Sequence, residues 1–497
     1  MRTEAATSAT GWEALGPDGV SGDTGRARAV TLIRRLIWAY FWLLLLEGIL
    51  RKWVAPGLSA PLLVIRDPLV ILAYLTALCY GLFPRHPVVT CCLVLALASA
   101  AVDFTRASSG GQFSPLVMWY GLRSNFLHLP LCFLMPLVLG RDDLARFGRR
   151  TLLTAIPCVL LMVLQSRAAP DSLLNCLPGQ SGALQLVVVE GMARPTSVFT
   201  APVGVALYLA FLSAFAIHAQ LDAGWRRPLP WLALACVVAG LSVAGSRGAL
   251  GCVAVVLAVA PALILIQKSA PFMRTAGVLC VLVGAALVVT LSGLFEAQLT
   301  AFQERLGTAA HEESAYEPGT EQHETWPLMI LLVRTLNEML LPLSEAAQVP
   351  PLGLGLGTRT TAGAQWLAYG SQRGVLIGSP DFRMGSIERE GDWARLLLES
   401  GTVMGLALIA SRVAATLWLF WLALRAARRG ASLPLLLFGL IGPLWLKGTL
   451  SQPTSLGFLV LGTGLLLTAC ADVGLTAGAA PTYPGHALPD ALGDQQP

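Results

Sequence analysis

The chain has 497 residues, of which 55% are apolar and only 13% are charged, and its mean hydropathy is +0.66. Because a soluble domain carries about 25% charged residues, this composition excludes a soluble protein. The net charge of +5 is no sign of nucleic-acid binding, since orientation in a membrane accounts for much of the basic excess.

Long apolar runs recur along the chain, and a spanning helix needs about 20 mainly apolar residues. A backbone in lipid must also satisfy its own hydrogen bonds. We therefore predict an all-α fold, a polytopic membrane helical bundle of about 12 transmembrane helices. The predicted spans are 32–50, 62–83, 88–102, 116–139, 151–165, 199–218, 229–245, 248–266, 274–294, 400–424, 433–449 and 455–471.

These spans divide the chain into five regions. Residues 1–30 form a cytoplasmic disordered tail, and residues 31–294 hold transmembrane helices 1–9. Residues 295–399 make one large outer loop with amphipathic helices, between the ninth and tenth spans. Residues 400–472 hold helices 10–12, and residues 473–497 form a second cytoplasmic disordered tail.

Lysine and arginine predict the orientation, because they favour the cytoplasmic side. With the N-terminus inside, every inner segment is basic. The inner segments together carry 16 basic residues, against nine in the short outer segments. Both termini are then cytoplasmic.

Three polar motifs interrupt the apolar sequence: RPTSVFTAP (194–202), SRGALG (246–251) and EGDWARLLLESGTVMG (390–405). The charge-based topology places all three on the outer side. Since charges near a bilayer are costly, several on one side indicate a working site.

The first two motifs each contain one arginine. Arg194 precedes a span, where a guanidinium either binds a phosphate in bidentate fashion or anchors the helix at the interface. Arg247 lies between two closely joined spans. Ser246 is placed to cap the second of these, and a helix N-terminus favours an anion. A purely structural turn is the alternative.

In the third motif, Asp392, Arg395 and Glu399 share one helical face. This face is either a salt-bridged surface or part of a site in which a carboxylate, Glu390 or Asp392, acts as general base near bound phosphates.

A further set of charges lies at the outer ends of the first two spans. Such charges either pair with one another or contact a lipid phosphate. The residues are Glu47, Arg51, Lys52, Arg66 and Asp67, with Arg123, just before an apolar stretch on the outer side, as a similar candidate.

Taken together, the motifs resemble those of the O-antigen ligases and Wzy-type O-antigen polymerases of bacterial envelopes. In the first motif Arg194, Thr196, Phe199 and Pro202 match, and in the second Ser246, Arg247 and Gly248 match. PLGLGLG (351–357) resembles the family's glycine-rich stretch. Trp393, Glu399, Gly401 and Gly405 fit its final segment. This chain departs from the family at Ser197 and Ala201, and it has Glu390 and Gly391 where the family has His-Asn.

The resemblance implies a metal-independent glycosyltransferase without a cofactor, in the bacterial inner membrane, with the large loop in the periplasm. Its donor would be a glycan on undecaprenyl pyrophosphate, and its acceptor a hydroxyl of another glycan or lipid. The pyrophosphate would be held by arginines, here Arg194, Arg247, Arg123 and Arg395. Glu390 or Asp392 would be the base. Polysaccharide-assembly proteins are possible partners.

Two other classes remain open. A secondary transporter also has many spans and charges at outer helix ends, although transporter sites lie near mid-membrane. A non-catalytic subunit of a polysaccharide assembly machine would explain the missing histidine.

Overall fold

The computed structural model describes residues 18–109, 113–178, 188–189, 192–223, 227–267, 277, 336–337, 339–360 and 391–475. Among these residues, seven helices are long and apolar enough to cross a membrane, and three shorter apolar helices accompany them. The predicted class, a multi-pass helical membrane protein, is confirmed at this level. The number of twelve spans and the large outer loop stay predictions.

The helices carry one set of labels, in chain order. They are α1 (Asp18–Ile49), α2 (Asp67–Cys79), α3 (Pro87–Ser108), α4 (Pro115–Leu122), α5 (Leu129–Val138), α6 (Arg141–Arg167), α7 (Pro202–Ala223), α8 (Pro228–Ala244), α9 (Arg247–Ile266), α10 (Asp392–Arg428), α11 (Leu433–Lys447) and α12 (Pro453–Asp472). A short antiparallel pair, β1 (Val188–Val189) and β2 (Met192–Ala193), precedes α7.

Eleven of the twelve predicted spans correspond to these helices. The fourth of them covers two helices, α4 and α5. Of the ninth, 274–294, only residue 277 is described. Helix α1 already begins at Asp18, so the predicted tail of residues 1–30 is too long. Helices α3 and α6 extend beyond the predicted 88–102 and 151–165 because their ends carry charged residues, which end an apolar run without ending a helix.

Proline defines where several helices start. Helices α3, α4, α7, α8 and α12 each begin with a proline. Proline suits this position because the first N–H of a helix has no intrahelical acceptor and the ring holds φ near the helical value. The local sequence therefore predicts where these helices begin.

The main core surrounds α7 and α12. Every residue from Ser455 to Cys470 is buried, and so is every residue from 204 to 217. Side chains from α1, α5, α6, α8, α9 and α11 complete this core. Helices that bury all their faces inside a membrane bundle have few lipid contacts, so α7 and α12 form its centre.

Helix α10 reverses direction at Gly401. This residue has φ 78° and ψ 173°, which interrupts the helix. Asp392 and Arg412 are 20 residues apart in sequence, which in a straight helix would separate them by about 30 Å. Their side chains nevertheless form an ion pair. Residues 392–400 and 402–428 are thus two arms of a helical hairpin, and only the second arm corresponds to the predicted span 400–424.

A second, smaller core lies around the short arm of this hairpin. It joins the short arm to the long arm, to α3, to the segment after α4 and to residues 346–349. Its buried apolar residues are Cys92, Phe126, Ala346, Val349, Trp393, Ala394, Leu396, Leu397, Leu398, Leu408 and Ile409. The hairpin is therefore packed against the bundle through apolar contacts as well as ionic ones.

The three sequence motifs lie at one end of the bundle, called the motif end below. Lys52, just after α1, contacts Thr196, just before α7. Arg66, just before α2, contacts Pro453 at the start of α12. Helix α9 begins with SRGALG at the same end, because Gln267 at its other end bonds to Ala427 at the far end of α10. The prediction that the motifs share a side of the bundle is confirmed.

Candidate functional site

Two π-helical turns lie at the motif end. One is Leu50–Val54, directly after α1, and the other is Arg123–Leu127, between α4 and α5. π-turns are rare and are often found at functional sites. Both turns carry buried charged or polar residues, and these residues belong to two ionic clusters.

The basic cluster is the larger of the two. It contains four cations and two carboxylates, all buried: Glu47, Arg51, Lys52, Arg66, Asp67 and Arg123. The hairpin cluster lies beside it and contains two cations, two carboxylates and an amide: Asn125, Asp392, Arg395, Glu399 and Arg412. Arg123 and Asn125 are two positions apart in one π-turn, so that turn joins the clusters.

Lys52 holds the first motif. Its Nζ donates to Thr196 Oγ1 at 2.6 Å and to the Ser197 carbonyl at 2.9 Å, and it lies 4.8 Å from the centre of the Trp53 ring. The Lys52 side chain is buried, and no carboxylate of the described part of the chain forms a salt bridge with it. A buried cation with only neutral partners is favourable ground for an anionic ligand.

The motif itself is held in a strained conformation. Ser197 has φ 50°, the only positive φ at a non-glycine position in the described residues. Gln165 of α6 accepts from the Ser197 N–H at 2.7 Å, and the Ser197 hydroxyl donates to the Cys158 carbonyl at 2.8 Å. Strain of this kind is typical of functional sites, where surrounding bonds impose it.

Gly48 lets α1 approach this motif. A Cβ at Gly48 would overlap the Val198 carbonyl and the Phe199 backbone. We expect Gly48→Ala to lower the free energy of unfolding by about 1–3 kcal/mol, because rigid backbone has to move. Thermal unfolding in detergent measures this change. Gly57→Ala, where a Cβ meets nothing within 4 Å, is the matched control, and an equal loss in both variants would contradict the prediction.

The remaining residues of the basic cluster form two ionic groups. Glu47 contacts Arg51 at 3.3 Å and Arg66 at 3.2 Å. Asp67 contacts Arg123 at 2.5 Å and His128 at 3.0 Å. The pairing predicted among the charges of the first two spans is thus observed for these residues. Arg123 lies inside a broken span, and its partner Asp67 balances its charge.

A hydrogen-bonded series extends from Asp67 into the bundle. His128 contacts Asp67 through Nε2 and the Tyr40 hydroxyl through Nδ1, at 3.0 and 3.1 Å. All three side chains are buried. Burial of such polar groups in apolar surroundings costs free energy unless each has a hydrogen-bond partner. Each side chain of this series has one.

The hairpin cluster is balanced in charge. Arg395 contacts Asp392 at 2.7 Å and Glu399 at 2.8 Å, which confirms that the three share one helical face. Arg412 also contacts Asp392. Asn125 accepts from both guanidinium groups, at 3.0 and 3.3 Å. Two cations and two carboxylates therefore neutralise one another.

The glycine-rich stretch packs on the hairpin. Gly353, Gly355 and Gly357 all have positive φ, at 69°, 110° and 79°. The Gly355 N–H donates to the Glu399 carbonyl at 3.0 Å, and a Cβ at Gly357 would overlap the backbone of α4. Only glycine allows both the conformation and the close approach. Residues 351–357, which resemble a family motif, therefore have a structural role: they pack against α4 and the short arm of the hairpin.

The predicted site residues have different environments. Arg194 is half-buried, two residues before Thr196, and so lies beside the basic cluster. Arg247 is the first residue of α9, capped by Ser246 as predicted, but its side chain lies outside the described residues, as does all of Glu390. Arg395 and Asp392 belong to the neutral hairpin cluster. A carboxylate held by two arginines is a poor proton acceptor, so this geometry favours a positioning role for Asp392.

Several residues of the clusters were not predicted from sequence. Arg412 interrupts the apolar run 402–424, and a charge inside a span is a signal that would have identified it. Asn125 and His128 follow Arg123 closely and carry no such signal, because uncharged polar residues are common in spans. Within the described residues, no group of three His, Cys, Asp or Glu side chains is arranged to hold a metal ion.

The fold and these clusters define a multi-pass helical membrane protein with buried ionic groups gathered at one end. No family model matches the chain, and no curated protein matches it. The likeness to O-antigen ligases and polymerases therefore rests on the motifs.

Proposed function

We propose that this protein is a membrane glycosyltransferase that takes a glycan from a polyprenyl-pyrophosphate donor, as in O-antigen or exopolysaccharide polymerisation or ligation. The observation that carries the proposal is the bond from Lys52, a buried cation, to the RPTSVFTAP motif. This contact gathers cationic groups at the entrance of α7. The donor lipid carries its charge on phosphates, which arginine and lysine bind well.

The proposed reaction moves one glycosyl group. The acceptor hydroxyl oxygen bonds to the anomeric carbon as the bond from that carbon to the pyrophosphate oxygen breaks. The lipid pyrophosphate leaves with the electron pair, and its charge is stabilised by Lys52 and Arg194, with Arg247 as a further predicted contact. The acceptor proton goes to a carboxylate, for which Glu390 stays the prediction. The site faces the periplasm in the predicted topology.

Glycans from cells that lack the protein test this proposal. We expect deletion to remove long polysaccharide chains or to leave lipid-linked units unused. Lys52→Met, Arg194→Ala and Arg247→Ala, at membrane levels matched to wild type, should each restore transfer about 100-fold less well, as for other transition-state donors. Arg149→Ala, an exposed arginine at the opposite end of the bundle, should restore it fully. Unchanged glycans after deletion would contradict the proposal.

A secondary transporter is the second candidate, and one observation favours it. The buried Tyr40–His128–Asp67 series has the residue types that proton-coupled transporters place inside the membrane. The same cells distinguish the two. If deletion leaves glycans unchanged but abolishes uptake or export of a solute in a pH-dependent manner, the transporter is correct.

A further inference from the structure

Ser197 determines how the RPTSVFTAP motif leaves the core. Phe199, on the α7 side of Ser197, is buried, and its ring centre lies 5.7 Å from that of Tyr208 and 5.9 Å from that of Phe458. Arg194, on the other side of Ser197, is only half-buried. Because one side of the motif is fixed in the core, the backbone angles of Ser197 decide where the other side lies.

Serine does not favour the backbone conformation that Ser197 has. With φ 50°, this residue lies in the left-handed region, which few residues other than glycine, asparagine and aspartate adopt. Such a conformation persists only where the surroundings impose it. The bond from the Ser197 hydroxyl to the Cys158 carbonyl holds the side chain and leaves the backbone conformation to other contacts.

Gln165 of α6 supplies contacts to the backbone of Ser197. Its Oε1 accepts a hydrogen bond from the Ser197 N–H at 2.7 Å, and its Nε2 donates to the Ser197 carbonyl at 3.3 Å. One buried amide group thus bonds to the peptide groups on both sides of the Ser197 Cα atom. Rotation about φ or ψ of Ser197 would break one of these bonds, and a buried polar group without a partner costs free energy.

The Gln165 amide is itself held in place. Its Nε2 also donates to the Leu174 carbonyl at 2.9 Å. The Asn175 side chain donates to the carbonyls of Gln165 and Ala169, both at 3.0 Å, and so fixes the backbone at the end of α6. A side chain with this support can impose a geometry on its partner.

We infer that Gln165 is a positioning residue for the RPTSVFTAP motif. It holds Ser197 in the left-handed region, and this conformation presents the Thr196 hydroxyl and the Ser197 carbonyl to Lys52, at 2.6 and 2.9 Å. Gln165 acts through the backbone of Ser197 and not on a substrate. The inference deepens the proposed function and rests on it, since the motif is part of the proposed site.

Two substitutions of Ser197 make the inference testable. Glycine adopts a positive φ at little cost, so a chain with glycine at position 197 should depend less on Gln165. Alanine lacks the hydroxyl, as glycine does, but its Cβ disfavours a positive φ. The pair Ser197→Gly and Ser197→Ala therefore separates the backbone conformation from the loss of the Cys158 contact.

Glycan transfer in cells that lack the protein and receive each variant at matched membrane levels is the first measurement. Gln165→Met retains an unbranched side chain of similar length without the hydrogen bonds. We expect it to restore at least about tenfold less transfer than wild type, since a small displacement of a site is costly. Adding Ser197→Gly should recover most of this loss, and adding Ser197→Ala should recover none.

Gln220→Met is the control for this measurement, because Gln220 is a buried glutamine at the far end of α7. It should transfer like wild type. A folded Gln165→Met variant that transfers like wild type would overturn the inference, and so would equal recovery by Ser197→Gly and Ser197→Ala.

Thermal unfolding of the purified variants in detergent is the second measurement, and it depends on no reaction. The fall in midpoint caused by Gln165→Met should be smaller with glycine at position 197 than with serine or alanine there, a coupling expected of residues in contact. If Gln165→Met does not accumulate in membranes, Ser197→Gly should restore accumulation and Ser197→Ala should not. Equal effects of Gln165→Met in all three backgrounds would contradict the inference.

The two proposals fail separately. If the midpoints show this coupling while the glycans of deleted cells are unchanged, positioning of the motif by Gln165 stands and glycosyl transfer does not. If glycans are lost on deletion but Gln165→Met is folded and transfers like wild type, the transferase stands and Gln165 does not position its site.

Discussion

Replacing Arg412 by methionine should lower the free energy of unfolding by about 3–5 kcal/mol, the range measured when one partner of a buried ion pair is removed. Arg412 contacts Asp392 and the Asn125 amide, and all three side chains are buried. Without Arg412, two carboxylates face the single cation Arg395, and the enclosed cluster acquires a net negative charge. The midpoint of thermal unfolding in detergent measures the loss.

A second substitution separates charge from packing. Asp392→Asn combined with Arg412→Met restores neutrality, since Arg395 and Glu399 still balance each other. We expect the double variant to be more stable than Arg412→Met alone, a coupling that independent sites do not show. Arg428→Met, an exposed position on the same helix, should change stability by less than about 0.5 kcal/mol. A double variant no more stable than Arg412→Met would show that packing, not charge, causes the loss.

Gly401→Ala should be comparably severe, because it opposes the reversal of α10 in two ways. The residue has φ 78° and ψ 173°, a backbone region that is essentially restricted to glycine and costs an L-residue about 1–3 kcal/mol. A Cβ would also overlap the Pro351 carbonyl and the Gly353 amide, and overpacking adds about 1–3 kcal/mol. We therefore expect a total loss of several kcal/mol, seen as a lower unfolding midpoint or as failure to accumulate in membranes.

Gly430→Ala is the matched control for this substitution. Gly430 has φ 93°, but a Cβ there meets nothing within 4 Å. The control therefore has the backbone strain without the overlap and should lose only about 1–2 kcal/mol. If both variants lose the same amount, the close approach of the glycine-rich stretch to Gly401 contributes nothing.

The hairpin has a consequence for the site. Its short arm brings Asp392 and Arg395 next to Asn125, and Asn125 shares a π-turn with Arg123 of the basic cluster. The hairpin cluster thereby contacts the π-turn that carries Arg123 of the basic cluster. Substitution of Arg412 should therefore disturb the candidate site through this π-turn. The glycan profile of an Arg412 variant is informative only if that variant is folded.

The sequence by itself determined the class of the protein and the position of most helices. A run of about 20 apolar residues has few alternatives to a spanning helix, and proline at the first helical position marks where several of them begin. The alternation of basic segments predicted that the three motifs share one end, because helices that cross a membrane in succession return to the same side. The shared face of Asp392, Arg395 and Glu399 followed from the period of the α-helix alone.

Only the tertiary structure decided which charges are paired and which are in excess. Arg412 meets Asp392 because the chain turns back at Gly401, and a periodicity that assumes one continuous helix cannot place them together. Lys52 meets Thr196 across 144 positions of sequence, and Arg123 meets Asp67 across 56. Electrostatic balance depends on distance in space and on burial, neither of which local sequence contains. For that reason two arginines that the sequence predicted to hold the pyrophosphate have different environments. Arg395 is neutralised by carboxylates, whereas Arg194 lies beside the basic cluster, which has more cations than carboxylates.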